Sequence, residues 1–108
     1  MKSYTDLEQS KVLSKILPLE SADMFYEYIG IPVICIGKPD YSENRQIIYA
    51  WSLVALLGII PNYKLSSEHN FHTCTAETSF GKETVGWFDN PIDACVALIE
   101  KLHELNLL

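Results

Sequence analysis

The chain has 108 residues, with 14 acidic and 8 basic side chains and a net charge of −6 at neutral pH. That length fits one domain over residues 1–108 and lets roughly 65% of the unfolded surface be buried, so a core can form without metal or disulfides. The 48% apolar and 20% charged content excludes a disordered chain, and an acidic balance with no Lys/Arg cluster argues against direct nucleic-acid binding.

The first residues, Met1-Lys2-Ser3-Tyr4-Thr5-Asp6, have no apolar region behind the lysine, so no secretory signal is expected. The longest apolar run, residues 47–60, falls short of the roughly 20 residues that span a bilayer. Cys35, Cys74 and Cys95 make an odd number without CxxC spacing, which suits reduced, buried thiols and a cytoplasmic location.

In chain order, Thr5 and Glu8 have capping-box spacing, followed by Val12, Leu13, Ile16 and Leu17 on one helical face until Pro18 ends the helix. Residues 24–29 are rich in aromatics and read as a strand, with a helix capped by Ser21 as the alternative. The strand reading is preferred because Gly30-Ile31-Pro32 suggests a reversal into the β-branched residues 33–36. Residues 38–46 read as an exposed polar connection. The uncharged run of residues 47–60 is expected at the centre of the protein. Within it, Ser52 caps a helix over residues 53–60, Trp51 staples it through Leu56, and its nearly all-round apolar surface predicts burial from several sides. Residues 62–70 read as a second polar connection.

Residues 71–76 and 83–88 read as two antiparallel strands joined through Gly81. Alternation puts His72, Cys74 and Ala76 on one face and Phe71, Thr73 and Thr75 on the other. The last helix opens with Asn90 as cap, Pro91 at its first position and Asp93 in its first turn. It buries Ile92, Cys95, Val96, Ile99 and Leu102. These elements predict an α+β fold with three helices packed on one side of a small antiparallel β-sheet.

Chemistry is sparsely marked. His69, His72 and Cys74 are the one cluster of potential metal ligands, but a structural zinc site takes four ligands and no CxxC or HxxxH pair accompanies them. They read as sheet and loop residues, with no metal or cofactor expected. Gly81-Lys82-Glu83-Thr84 lacks the first glycine of a phosphate-binding loop, and Glu83 stands where a hydroxyl should meet magnesium. Cys95 and His103 lie eight residues apart, roughly 12 Å along a helix, too far for a nucleophile pair. No carboxylates form a pair embedded in apolar surroundings, as general acid–base chemistry would need. The aromatic side chains exceed what the helix stripes use. Tyr26, Tyr28 and Trp87, with His72, are the candidate binding residues, weighed against a role in filling a small sheet.

Taken together, the segments Glu20-Ser21-Ala22-Asp23-Met24, Trp51-Ser52-Leu53-Val54-Ala55-Leu56-Leu57 and Asn90-Pro91-Ile92-Asp93-Ala94-Cys95 resemble a family of small uncharacterised proteins of prophages and other mobile elements of gut bacteria, which carry ESADM, WSLxALL and NPxDAC segments. That resemblance covers most of the chain and implies a phage-related accessory role without any activity, cofactor or catalytic residue. The leading expectation is a non-enzymatic interaction protein with a protein partner. The alternative is a small enzyme or ligand-binding protein whose pocket between sheet and helices uses His72, Cys74 or a tyrosine. Self-association is a third expectation, because the uncharged residues 33–36 offer an edge that invites a second copy.

Overall fold

A computed structural model describes residues 2–39 and 46–108. Its elements run α1 (Leu7–Ile16), a 3-10 turn (Leu19–Ser21), β1 (Met24–Tyr28), β2 (Pro32–Ile36), β3 (Ile47–Ala50), α2 (Leu53–Ile59), β4 (Lys64–Glu68), β5 (Phe71–Thr78), β6 (Gly81–Phe88) and α3 (Pro91–Glu104). The fold is α+β. Its strands form two three-stranded antiparallel sheets, ordered β2-β1-β3 and β4-β5-β6, where a single sheet was expected.

The second sheet exists because residues 64–68, expected as a connection, pair with β5 from Lys64↔Thr75 to Glu68↔Phe71. Their sequence, KLSSE, sends one apolar side chain, Leu65, toward the core cluster, while Lys64, Ser66 and Glu68 are exposed. A polar edge strand with one inward residue carries almost no alternation to detect. Most of the connection expected over residues 38–46, and Tyr41 with it, lies outside the described residues. At its near end Lys38 donates to the backbone carbonyls of Glu20 and Ala22 at 3.0 and 2.6 Å.

The element at the centre is α3 rather than the run of residues 47–60. Pro91, Ile92, Ala94, Cys95, Val96, Leu98, Ile99 and Leu102 are all buried. One side of α3 packs on β5 and β6, and α2 and α1 pack on it as well. This second contact explains why Ala94 and Leu98, off the expected stripe, are also buried. Asn90 caps the helix, its side-chain Oδ1 accepting from the Asp93 N–H at 2.9 Å.

The run of residues 47–60 is divided. Ile47–Ala50 becomes β3, Trp51 is fully buried, and Ser52 caps α2 by accepting from the Ala55 N–H at 3.3 Å. Asp23 holds that cap in turn, accepting from both the N–H and the hydroxyl of Ser52. The expected all-round burial of α2 does not occur. Leu56 is buried, but Val54 is 80% exposed and Gly58 is exposed, because only one side of this short helix meets α3.

In α1 the cap shifts by one residue. Asp6, not Thr5, accepts from the Gln9 N–H at 2.8 Å, and the Gln9 side chain returns a bond to the Asp6 N–H. Thr5 is buried instead. It pairs with Trp51 through Thr5 N–H to Trp51 C=O at 2.9 Å and Trp51 N–H to Thr5 Oγ1 at 3.1 Å, and its hydroxyl meets Ser10 Oγ at 2.8 Å. The buried side of α1 is therefore Ser10, Leu13 and Leu17, and Val12 turns outward.

Lys2 joins the two helix starts, with Nζ 2.8 Å from both Asp6 and Asp93. Partial burial works to raise the Asp93 pKa, but hydrogen bonds from Lys2, Gln9 and Asn90 outweigh it and leave the carboxyl below its ordinary 3.8. Asp6 is likewise lowered: burial opposes the shift, and the Gln9 N–H and Lys2 outweigh it. Burial works to lower the Lys2 pKa, and the two aspartates overcome it and hold the amine above 10.5. A carboxylate depressed on folding contributes stability that is complete above its unfolded pKa and lost as pH falls through the folded one. Denaturant midpoints should therefore fall on acidification below about pH 4, with a shallower fall in Asp93→Asn. Equal slopes in the two proteins would place the acid sensitivity elsewhere. The Lys2 contribution is complete below pH 10.5 and is lost as pH rises through its raised value.

Candidate interaction surface

The sheet β4-β5-β6 has two unlike faces. Leu65, Cys74 and Val85 share a register row and join the core beneath α3. The opposite face presents Lys64, Ser66 and Glu68 from β4, Phe71, Thr73, Thr75 and Glu77 from β5, and Lys82 and Thr84 from β6. Among the described residues no helix packs on it. Thr75 and Thr84 hydroxyls meet across it at 3.0 Å. Alternation in the sequence placed Phe71, Thr73 and Thr75 together correctly, and Cys74 and Ala76 are both fully buried.

One corner of this face departs from regular structure. The register of β5 and β6 slips between His72↔Phe88 and Cys74↔Val85, so Gly86 and Trp87 both stand opposite Thr73. This is a β-bulge. A Cβ on Gly86 would lie 2.9 Å from Thr73 Cγ2, so a side chain here would force Thr73 to shift where the two strands approach. Trp87 takes up the bulge with φ +73°, the left-handed region that costs a bulky L-residue about 1–2 kcal/mol. Trp87 is 72% exposed, and its indole stands edge-on to the exposed Phe71 ring, with centroids 6.1 Å apart.

The four candidate binding residues do not form one site. Tyr26 and Tyr28 lie on β1 in the first sheet, while His72 and Trp87 belong to the second. Tyr26 donates its hydroxyl to the Thr5 carbonyl at 2.9 Å and packs edge-on to Tyr4 at 6.4 Å. Burial, with Tyr4 and Asp6 nearby, raises its pKa and keeps the phenol a neutral donor. Tyr28 is half-buried. His72 is tied through Nδ1 to Ser67 Oγ at 2.6 Å. Of the four, Trp87 is the one whose side chain is largely free of the fold. Its aromatic neighbour Phe71 was assigned to that face by alternation but not singled out, because the bulge that joins the two rings leaves no mark beyond Gly86.

The residues of the potential metal cluster also separate. His69 is in the β4–β5 turn, 3.7 Å from its neighbour Glu68, whereas Cys74 is wholly buried. Among the described residues no group of three or more His, Cys, Asp or Glu side chains is placed to hold a metal ion. Cys74 and Cys95 instead face each other across β5 and α3 with sulfurs 3.9 Å apart and no solvent exposure. The hydrogen bond to Cys74, together with burial, holds the Cys95 thiol well above its usual range, which opposes use as a nucleophile. A cleft of about 430 Å³ runs between α1 and β3, lined by Lys11, Ser14, Lys15, Leu19, Ile47, Ile48 and Tyr49. His72, Cys74 and Tyr26 do not line it.

The class defined by these features is a small α+β protein with two antiparallel sheets, built around one helix and bearing an exposed aromatic corner. No family model, curated protein or solved structure matches the chain. Among the described residues no helix is long and apolar enough to cross a membrane.

Proposed function

We propose that this is a non-enzymatic interaction protein that contacts a protein partner through the outer face of β4-β5-β6, with Trp87 and Phe71 as anchors. The carrying observation is Trp87: a bulky residue in left-handed backbone, exposed and adding nothing to the core. Local strain retained without a packing return is a mark of function. Aromatic anchors ringed by hydroxyl and charged groups are the composition of an interface centre and its rim. Dispersed acids and the scarcity of cations favour a protein over a nucleic acid as partner. Three free cysteines suit a cytoplasmic setting, and the resemblance to prophage proteins supports an accessory role in a mobile element.

Trp87→Gly is the test. Glycine relieves about 1–2 kcal/mol of backbone strain, and losing the ring contact with Phe71 costs about 0.5–1.5 kcal/mol, so the melting temperature should stay nearly unchanged. Immobilised wild type is expected to retain a partner from a bacterial lysate that the variant does not retain. Equal recovery by both proteins, or none above background at low and at physiological salt, overturns the reading.

A further inference from the structure

Among the described residues, the first sheet ends in a strand that has no second neighbour. β2 pairs with β1 on one side only, and β1 in turn pairs with β3. The backbone parity of β2 follows from two bonds flanking the ladder, Gly37 N–H to Asp23 C=O at 2.8 Å and Ile29 N–H to Ile31 C=O at 3.1 Å. In an antiparallel pair the bonded positions alternate. Those two bonds make Cys35 and Val33 the residues of β2 whose main chain faces β1. The N–H and C=O of Ile34 and Ile36, and the C=O of Pro32, therefore face the open edge.

That edge carries no charge from Pro32 to Ile36. Around it, Ile36 is 86%, Ile31 66% and Ile29 61% exposed. Helix packing on this sheet is concentrated at β3, beside α1. An apolar sheet needs another layer or strand to cover it, and natural edges are normally blunted with charge. Among the described residues this edge is blunted by Pro32 alone, which lacks an N–H.

We infer that β2 pairs antiparallel with β2 of a second copy of this chain, about a two-fold axis at Ile34, so that the two sheets become one with strand order β3-β1-β2-β2-β1-β3. The register closes on itself. Ile34 N–H meets Ile34 C=O of the second copy in both directions, and Ile36 N–H meets Pro32 C=O in both directions. The missing N–H of Pro32 falls opposite the Ile36 carbonyl at the strand end, where water serves it. The hairpin tip at Ile31 then falls opposite Gly37 of the other copy. Charge selects the same place: each copy carries −6, and β2 is a site where two acidic copies meet without opposing like charges. Strands of five residues bury less than the roughly 1,000 Å² of a stable interface, so Ile29, Ile31 and Ile36 must contribute and the dimer is a concentration-dependent one.

Sedimentation of the full chain over about a hundredfold concentration range tests this. The average mass is expected to rise from 12.3 kDa toward twice that value, and more readily at higher salt, which screens the like charges. Ile36→Lys changes an exposed side chain and should melt like wild type and stay monomeric. Ile34→Pro removes the outward N–H at an edge-strand position where proline is tolerated, gives up a partly buried side chain, and should also stay monomeric. In a Cys35→Ser background, Ile34→Cys should give a covalent dimer under oxidised glutathione, each disulfide forming as glutathione is reduced. A wild type monomeric throughout the range overturns the inference. So does association that survives both Ile36→Lys and Ile34→Pro, which would put the contact elsewhere.

Discussion

Replacing Trp51 by alanine is expected to lower stability by about 3–5 kcal/mol, the range for deleting a fully buried aromatic side chain. The indole is completely inaccessible, and its Nε1–H donates to Ser21 Oγ at 3.0 Å. Its backbone joins β3 to the N-terminal segment through Thr5. At about 4 °C or more per kcal/mol for a chain of this size, the melting temperature should fall by more than 10 °C. Trp51→Phe keeps most of the apolar volume and loses the Ser21 bond, so a drop of about 1–2 kcal/mol is expected. Because Trp51 is interior and Trp87 is on the outer face, the residual folded Trp51→Ala protein should still bind any partner the wild type binds. Loss of binding at unchanged melting temperature would make Trp51 part of a site.

Thr5→Val should be the second large effect, about 2–4 kcal/mol by chemical denaturation. It leaves the buried Trp51 N–H without its acceptor, at about 1–3 kcal/mol, and strips the buried Ser10 hydroxyl of its nearer partner, leaving it only the Thr5 carbonyl oxygen at 3.5 Å. Asp6→Ala, which removes the true cap of α1, should cost about 1 kcal/mol. The order of the two losses separates the alternatives. If Thr5 were the cap, as the Thr5-x-x-Glu8 spacing suggests, Thr5→Val would cost no more than a cap and Asp6→Ala almost nothing.

That one-residue shift shows where sequence reading stops. Thr5 and Asp6 are both good caps, and each has a carboxylate or amide three residues on. The choice went to Asp6 because Thr5 is taken by Trp51, a partner 46 positions away. Likewise, capping chemistry correctly marked Ser52 and Asn90, since a side-chain oxygen bonding an N–H two or three residues later is a local event. The β1–β2 reversal at Gly30 was legible for the same reason: its φ of +92° suits a residue with no side chain.

Position within the fold was not legible. The run of residues 47–60 is the most apolar stretch in sequence, yet most of it became an edge strand and a helix with Val54 in the open. Hydropathy counts apolar residues but does not say which neighbour arrives to cover them. α3 holds the centre because two layers, a sheet and a helix pair, meet on it. The candidate surface followed the same pattern. Trp87 could be singled out as a surplus aromatic, and Phe71 could be placed on a face by alternation. Their contact depends on a bulge created by strand register.

By itself, then, the sequence determined what depends on neighbours a few residues apart: the α+β class, the caps of α2 and α3, the turns at Gly30 and Gly81, and the inward row of β5. Only the tertiary structure decided that the strands form two sheets, that α3 is the core, that Thr5 is a buried pin, and that Trp87 meets Phe71 in strained backbone at the surface. The physical reason is one of range. Hydrogen bonds within a turn are specified by adjacent residues, whereas burial and register are settled by segments brought together from across the chain.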